Sequence, residues 1–192
     1  MIRLCVLTLS ALLLSSNALA QWELVNEEST VNYVSVKNSS VGEVNSFQEL
    51  SGSIESNGEF SVDIDLGSVE TNIPIRNDRV KAMLFEIASF ATANISAQLD
   101  PSSFNEINVG ETYESSISFD LSLHGVSTEM TTVVRVVKLA DNRILALSVN
   151  PIIVNADPFN LSEGIGKLRE VANLSSISTV VPVTFSLVFQ QQ

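Results

Sequence analysis

The chain has 192 residues, with 22 acidic against 10 basic side chains, a formal net charge of −12, one cysteine and one histidine. A field of that sign repels phosphate backbones and anionic headgroups, which argues against nucleic-acid binding and against electrostatic adsorption to a membrane surface. The one cysteine, Cys5, lies too close to the start to be a lipoprotein acylation site and falls within an N-terminal segment expected to be cleaved. No disulfide, thiolate nucleophile or cysteine metal site is therefore expected, and stability must come from an ordinary core.

Residues 1–20 read as a secretory signal peptide. Arg3 precedes an apolar run from Leu4 to Leu14, a polar stretch Ser15 to Asn17, and Ala18-Leu19-Ala20, an A-x-A cleavage motif before Gln21. The run is too short to span a bilayer, so stable membrane insertion is not expected. Cleavage between Ala20 and Gln21 would yield a periplasmic or secreted protein. It would also remove Arg3 and take the charge from −12 to about −13.

Residues 21–192 read as a single domain, because no repeat, low-complexity segment or charge block divides them. Eight strand-like runs follow one another: Ser29 to Lys37, Val44 to Glu55, Glu59 to Leu66, Ala93 to Leu99, Glu111 to Leu123, Glu129 to Leu139, Arg143 to Asn150 and Ser178 to Gln190. Turn signals sit between many of them, among them Asn57-Gly58, Asp100-Pro101, His124-Gly125 and Asp141-Asn142. Tight turns between short strands predict an all-β antiparallel meander, and closing about eight strands into an up-and-down barrel removes the exposed edges.

Two helical insertions are predicted within this meander. From Arg76 to Ile87 the apolar residues Val80, Met83 and Leu84 recur at helical spacing, and from Leu161 to Ala172 the residues Ile165, Leu168, Val171 and Ala172 share one side. Each has an apolar stripe to bury, and both are expected to close an end or cover a flank of the barrel. If left uncovered, those stripes would support a homodimer. Alternation in Tyr113 to Leu123 puts Ile117, Phe119, Leu121 and Leu123 on one side, assigned to the interior, and serines with Asp120 on the other. Such an interior is either filled by side chains or holds one small ligand.

Little in the chain supports catalysis. A zinc site would have to combine His124 with carboxylates alone, no HExxH or EF-hand spacing is present, and no GxSxG elbow marks a nucleophile. No metal, cofactor or catalytic residue is expected. His124 has two readings: a hydrogen-bond donor to a ligand head at the barrel mouth, or a turn residue whose ring meets nearby backbone carbonyls. Arg76, with Arg79 and Lys81, reverses the local charge around Asp78. Its guanidinium either binds a headgroup or belongs to a solvated first helical turn. Met83 and Phe85 are expected to contact a ligand from the inserted helix, alongside Phe90, Phe119, Leu121, Leu123 and Phe159.

Two stretches carry a family resemblance. Ser68, Val69, Thr71, Arg76, Asp78 and Phe85 in SVETNIPIRNDRVKAMLF, and Leu121, Leu123, His124, Gly125 and Val126 in LSLHGV, resemble the pattern of the YceI-like family of secreted bacterial lipid-binding proteins. The resemblance runs from Trp22 to the closing VPVTFSLVF at Val181 to Phe189. Arg79 stands where many members have a histidine, so a role carried by that histidine does not transfer. The resemblance implies a lipocalin-like barrel and a non-enzymatic carrier for a polyisoprenoid or isoprenoid quinone, with fatty acids or amides as further ligands. Two rivals stay open at this point: a filled-barrel stress-response or protein-interaction module, and an enzyme acting on a hydrophobic substrate.

Overall fold

In a computed structural model describing residues 21–192, apolar and polar residues alternate along extended segments that pair antiparallel into a closed wall. The signal peptide read in residues 1–20 lies outside the described residues. Twelve segments join into eight staves, several with a short break. In chain order they are β1 (Trp22–Leu24 and Thr30–Lys37), β2 (Val41–Phe47 and Leu50–Ile54), β3 (Glu59–Asp65 and Val69–Glu70), β4 (Thr92–Gln98), β5 (Thr112–Leu123), β6 (Val126–Leu139), β7 (Arg143–Ser148 and Ile152–Asn155) and β8 (Val180–Gln191).

Each stave pairs with its sequence neighbours, and β8 returns to β1. Closure uses both halves of β1: Trp22 to Leu24 pair with Gln191 to Phe189, while Thr30 to Tyr33 pair with Ser186 to Val183. On its other edge β8 pairs with both halves of β7. The expected eight-stranded up-and-down barrel is the fold observed. Its register places alternate side chains inward, as the period of two requires.

Among the described residues three short α-helices accompany the barrel. The first, α1, spans Pro74–Arg79 and runs directly into a π turn at Val80–Leu84, in which the Phe85 N–H reaches the Val80 carbonyl at 3.0 Å. Proline at the first helical position suits α1, since that N–H would have no partner in any case. The third, α3, spans Ser162–Val171. Both predicted insertions are thus present. The second helix, α2 at Ser102–Asn105, was not foreseen: four residues are too few to display a helical period.

The barrel has two distinct ends. At one, near the His124-Gly125 turn, α3 meets the π turn that follows α1, and the approach is tight: a Cβ at Gly164 would lie 2.6 Å from the Met83 carbonyl oxygen and 2.8 Å from the Leu84 Cα. Trp22 anchors the other end and is fully buried. Its ring meets Phe104 of α2 edge-on at 6.1 Å between centroids, and the Lys138 ammonium sits 4.6 Å from its centroid, within cation–π range.

Trp22→Ala should lower stability by about 3–5 kcal/mol, the range for deleting a buried aromatic side chain. Urea denaturation followed by circular dichroism measures it; a loss well below that range would mean that α2 and Lys138 collapse into the gap.

Candidate functional site

The inward faces of the staves enclose a cavity of about 440 Å³. Its wall is built by alternation. From β8 come Val181, Val183, Phe185, Leu187 and Phe189, from β6 Thr132, Val134 and Val136, and from β1 Val31 and Tyr33. At the helical end Leu84 and Phe85 descend from the π turn, while Leu161 and Ile165 descend from α3 and its approach. Aromatic rings continue across this end, with Tyr33 and Phe47 at 5.5 Å and Phe47 and Phe85 at 5.9 Å between centroids. Burial pushes the Tyr33 phenol well above its usual pKa, against a smaller opposing pull from the nearby Arg76 cation, so Tyr33 is uncharged at neutral pH.

Four of the nine residues expected to contact a ligand line this cavity: Phe85, Phe119, Leu121 and Leu123. The other five stand elsewhere. Phe159 is buried in the packed core beside the cavity. Met83 is displaced by the π turn, whose wider loop brings Leu84 and Phe85 inward in its place and turns the Met83 carbonyl toward Gly164.

Arg76 is committed to the protein. Its Nη1 donates to Glu43 Oε2 at 2.5 Å and its Nη2 donates to the Thr71 carbonyl, so the guanidinium ties α1 to β2. Lys37 Nζ donates to the other Glu43 oxygen at 2.7 Å. These contacts, led by the hydrogen bond from Lys37, hold the Glu43 carboxyl below its usual pKa. Arg76 does not border the cavity; it stands in the first turn of α1, partly exposed, with its guanidinium paired to Glu43.

His124 occupies the first central position of a two-residue turn between Leu123 and Val126, with φ of 51° there and 77° at Gly125. Both positive angles are what a type I′ hairpin needs, and His and Gly are among the residues that tolerate them. The imidazole packs on Phe90 at 4.2 Å between centroids, and Phe90 in turn covers Gly125. As a turn residue His124 thus fits the structural reading, with one correction: its ring meets no carbonyl. Neither ring nitrogen has a hydrogen-bond partner, and Glu86 Oε2 lies 3.8 Å from Nε2, beyond hydrogen-bond reach.

Sequence reasoning missed Tyr33, Leu84, Leu161 and Ile165 as wall residues. Tyr33 was legible in the alternation Val31, Tyr33; the others depend on how the helices seat. Among the described residues no group of three or more acidic, His or Cys side chains is placed to hold a metal. No described helix is long and apolar enough to cross a membrane.

A closed eight-stranded barrel with an apolar interior and helices over one end is the lipocalin-like class of fold. Within that class the chain belongs to the YceI-like family, whose domain model matches residues 22–189. Among solved structures it is similar to a polyisoprenoid-binding domain from Saccharophagus degradans implicated in plant cell wall breakdown. The two are 36% identical, with a TM-score of 0.88 over 90% of this chain and 99% of the other. BcnA from Burkholderia cenocepacia shares the fold at 18% identity and a TM-score of 0.67, over 86% of this chain and 98% of that one. A Campylobacter jejuni YCEI protein matches at 14% identity and a TM-score of 0.50, over 73% of this chain and 82% of its own. A comparison with curated protein sequences gives no match.

Because the folded Glu43 pKa is depressed, its contribution to stability is present above the unfolded carboxylate pKa and is lost as pH falls through the folded value. Glu43→Gln should therefore cost on the order of 1 kcal/mol or less at neutral pH and flatten the acid limb of the stability curve. Urea midpoints taken from neutral pH down through the carboxylate range measure both effects, and parallel curves for the two proteins would refute the assignment.

Proposed function

We propose that the protein is a periplasmic or secreted carrier that encloses the tail of a long-chain isoprenoid lipid inside its barrel and catalyses no reaction. The observation that carries this reading is the cavity: about 440 Å³ of space, walled largely by aliphatic and aromatic side chains, runs through a barrel that could have been filled by larger residues. Ala93, Ala97 and Ala146 all face this space, where bulkier residues would occupy it. The similar domain from Saccharophagus degradans is described as polyisoprenoid-binding, which supports an isoprenoid ligand over a straight fatty chain.

Energetics favour a tail of this kind. At roughly 0.8 kcal/mol per buried CH₂, half a dozen groups contribute about 5 kcal/mol before ordering costs. That driving term is apolar, so binding should survive high salt. Among the described residues no nucleophile and base are assembled in the cavity, and the one charged wall residue, Asp100, is exposed.

Native mass spectrometry of the freshly purified protein, followed by solvent extraction, should reveal one stoichiometric long-chain isoprenoid. A protein that is empty and also refuses an apolar dye would overturn the proposal. Ala146→Phe should lower lipid affinity by about tenfold, the equivalent of roughly two buried CH₂ groups, while circular dichroism stays unchanged.

A further inference from the structure

The barrel wall is split on one side. Staves β4 and β5 share three residue pairs only, Asn94 with Ser122, Ile95 with Leu121 and Ser96 with Asp120. Yet β4 pairs along all seven of its residues with β3, and β5 along all twelve of its residues with β6. Past Ser96 and Asp120 the hydrogen bonds of each side turn away from the other. The Leu99 N–H donates to the Gly58 carbonyl at 2.8 Å and the Gln98 amide to the Asn57 carbonyl at 2.7 Å, both toward β3. Just before β5, the Gly110 N–H donates to the Lys138 carbonyl of β6 at 2.8 Å.

Cavity lining marks the same opening. Elsewhere each stave contributes alternate residues, as β8 does. Here consecutive residues border the cavity, Ala97 to Asp100 on one side and Ser115 to Ser118 on the other. Gln98, Ser116 and Ser118 occupy outward positions in their strands, and an outward side chain can border an interior space only where the wall is open. Apart from Tyr33 and Thr132, every polar residue of the lining lies at this split or on the adjoining α2 segment.

The chemistry of the split is one-sided. It offers hydroxyls, an amide and the backbone groups of the unpaired β5 edge, which need partners. Among the described residues no Lys, Arg or His lines the cavity, and the one charge in the lining is the Asp100 carboxylate, whose pKa is lowered by hydrogen bonds from the Ser102 hydroxyl at 2.7 Å and its N–H at 3.1 Å. Basic residues on β6 are engaged: Arg135 pairs with Glu114, and Lys138 lies over Trp22. An anionic head placed here would meet a carboxylate without a compensating cation.

We infer that the split between β4 and β5 seats the polar head of the bound lipid, and that this head is uncharged and hydrogen-bonding, an alcohol or a quinone carbonyl, with phosphate disfavoured. The inference rests on the carrier reading and adds to it the position and class of the head.

Two probes with the same tail test it: geranylgeraniol and geranylgeranyl phosphate, titrated into the delipidated, refolded 21–192 chain in competition with an apolar dye. The alcohol should bind about tenfold or more tightly than the phosphate. Ser116→Lys, which adds a cation at an exposed position of the split, should raise phosphate affinity about tenfold, as one charge-assisted hydrogen bond would. Asp100→Asn should move the ratio in the same direction and serves if the lysine variant does not fold. Phosphate binding as tight as the alcohol in the unaltered protein, or a ratio that neither substitution shifts, would overturn the inference. If neither probe displaces the dye, the ligand is not an isoprenoid and the carrier reading falls with it.

Discussion

The whole molecule depends on β8 being paired along both of its edges. Its twelve residues hold both halves of β7 on one side and both halves of β1 on the other, so one strand turns an open meander into a closed wall. Closure removes the exposed edges that an open sheet would offer to other chains. It also fixes the interior: once register is set, every second side chain points inward, and the identity of those residues decides whether the space is filled. Here small and medium residues alternate with phenylalanines, and space remains.

The helices act on this frame from one end. Arg76 and Glu43 fasten the start of the inserted segment to β2, and Gly164 lets α3 press against its π turn, so that Leu84, Phe85, Leu161 and Ile165 form one surface over the cavity. The opposite end is held by Trp22, Phe104 and Lys138. Both ends are therefore tied down by specific contacts, and the side split between β4 and β5 is where the wall itself departs from regular pairing.

Much of this was legible in the residues. Period-two runs gave the staves, and the alternation of Ile117, Phe119, Leu121 and Leu123 gave the inward face, because one buried face leaves an unambiguous pattern. His124 and Gly125 announced a hairpin through the backbone angles they tolerate. What stayed hidden depends on partners distant in the chain. Arg76 reads as a free cation beside an apolar run, but its fate is decided by Glu43, 33 positions earlier. Met83 and Leu84 share one apolar stripe in the sequence, yet only Leu84 reaches the cavity wall, in a π turn whose extra residue no local propensity signals. The split was equally hidden, since strand continuity says nothing about where one of a strand's two edges loses its neighbour.

The π turn at Val80–Leu84 also bears on how such a chain can change in length. A π turn holds one residue more than the α-helical turn it replaces, so its register is a property of residue number and not of residue type. Loss of a single residue there would restore ordinary helical phase and rotate Leu84 and Phe85 away from the barrel, together with Glu86, whose carboxylate lies 3.8 Å from the Lys167 ammonium of α3. No point substitution reverses such a rotation. The seat of Leu84 and Phe85 over the cavity therefore rests on the number of residues between Pro74 and Phe85 as much as on their identities.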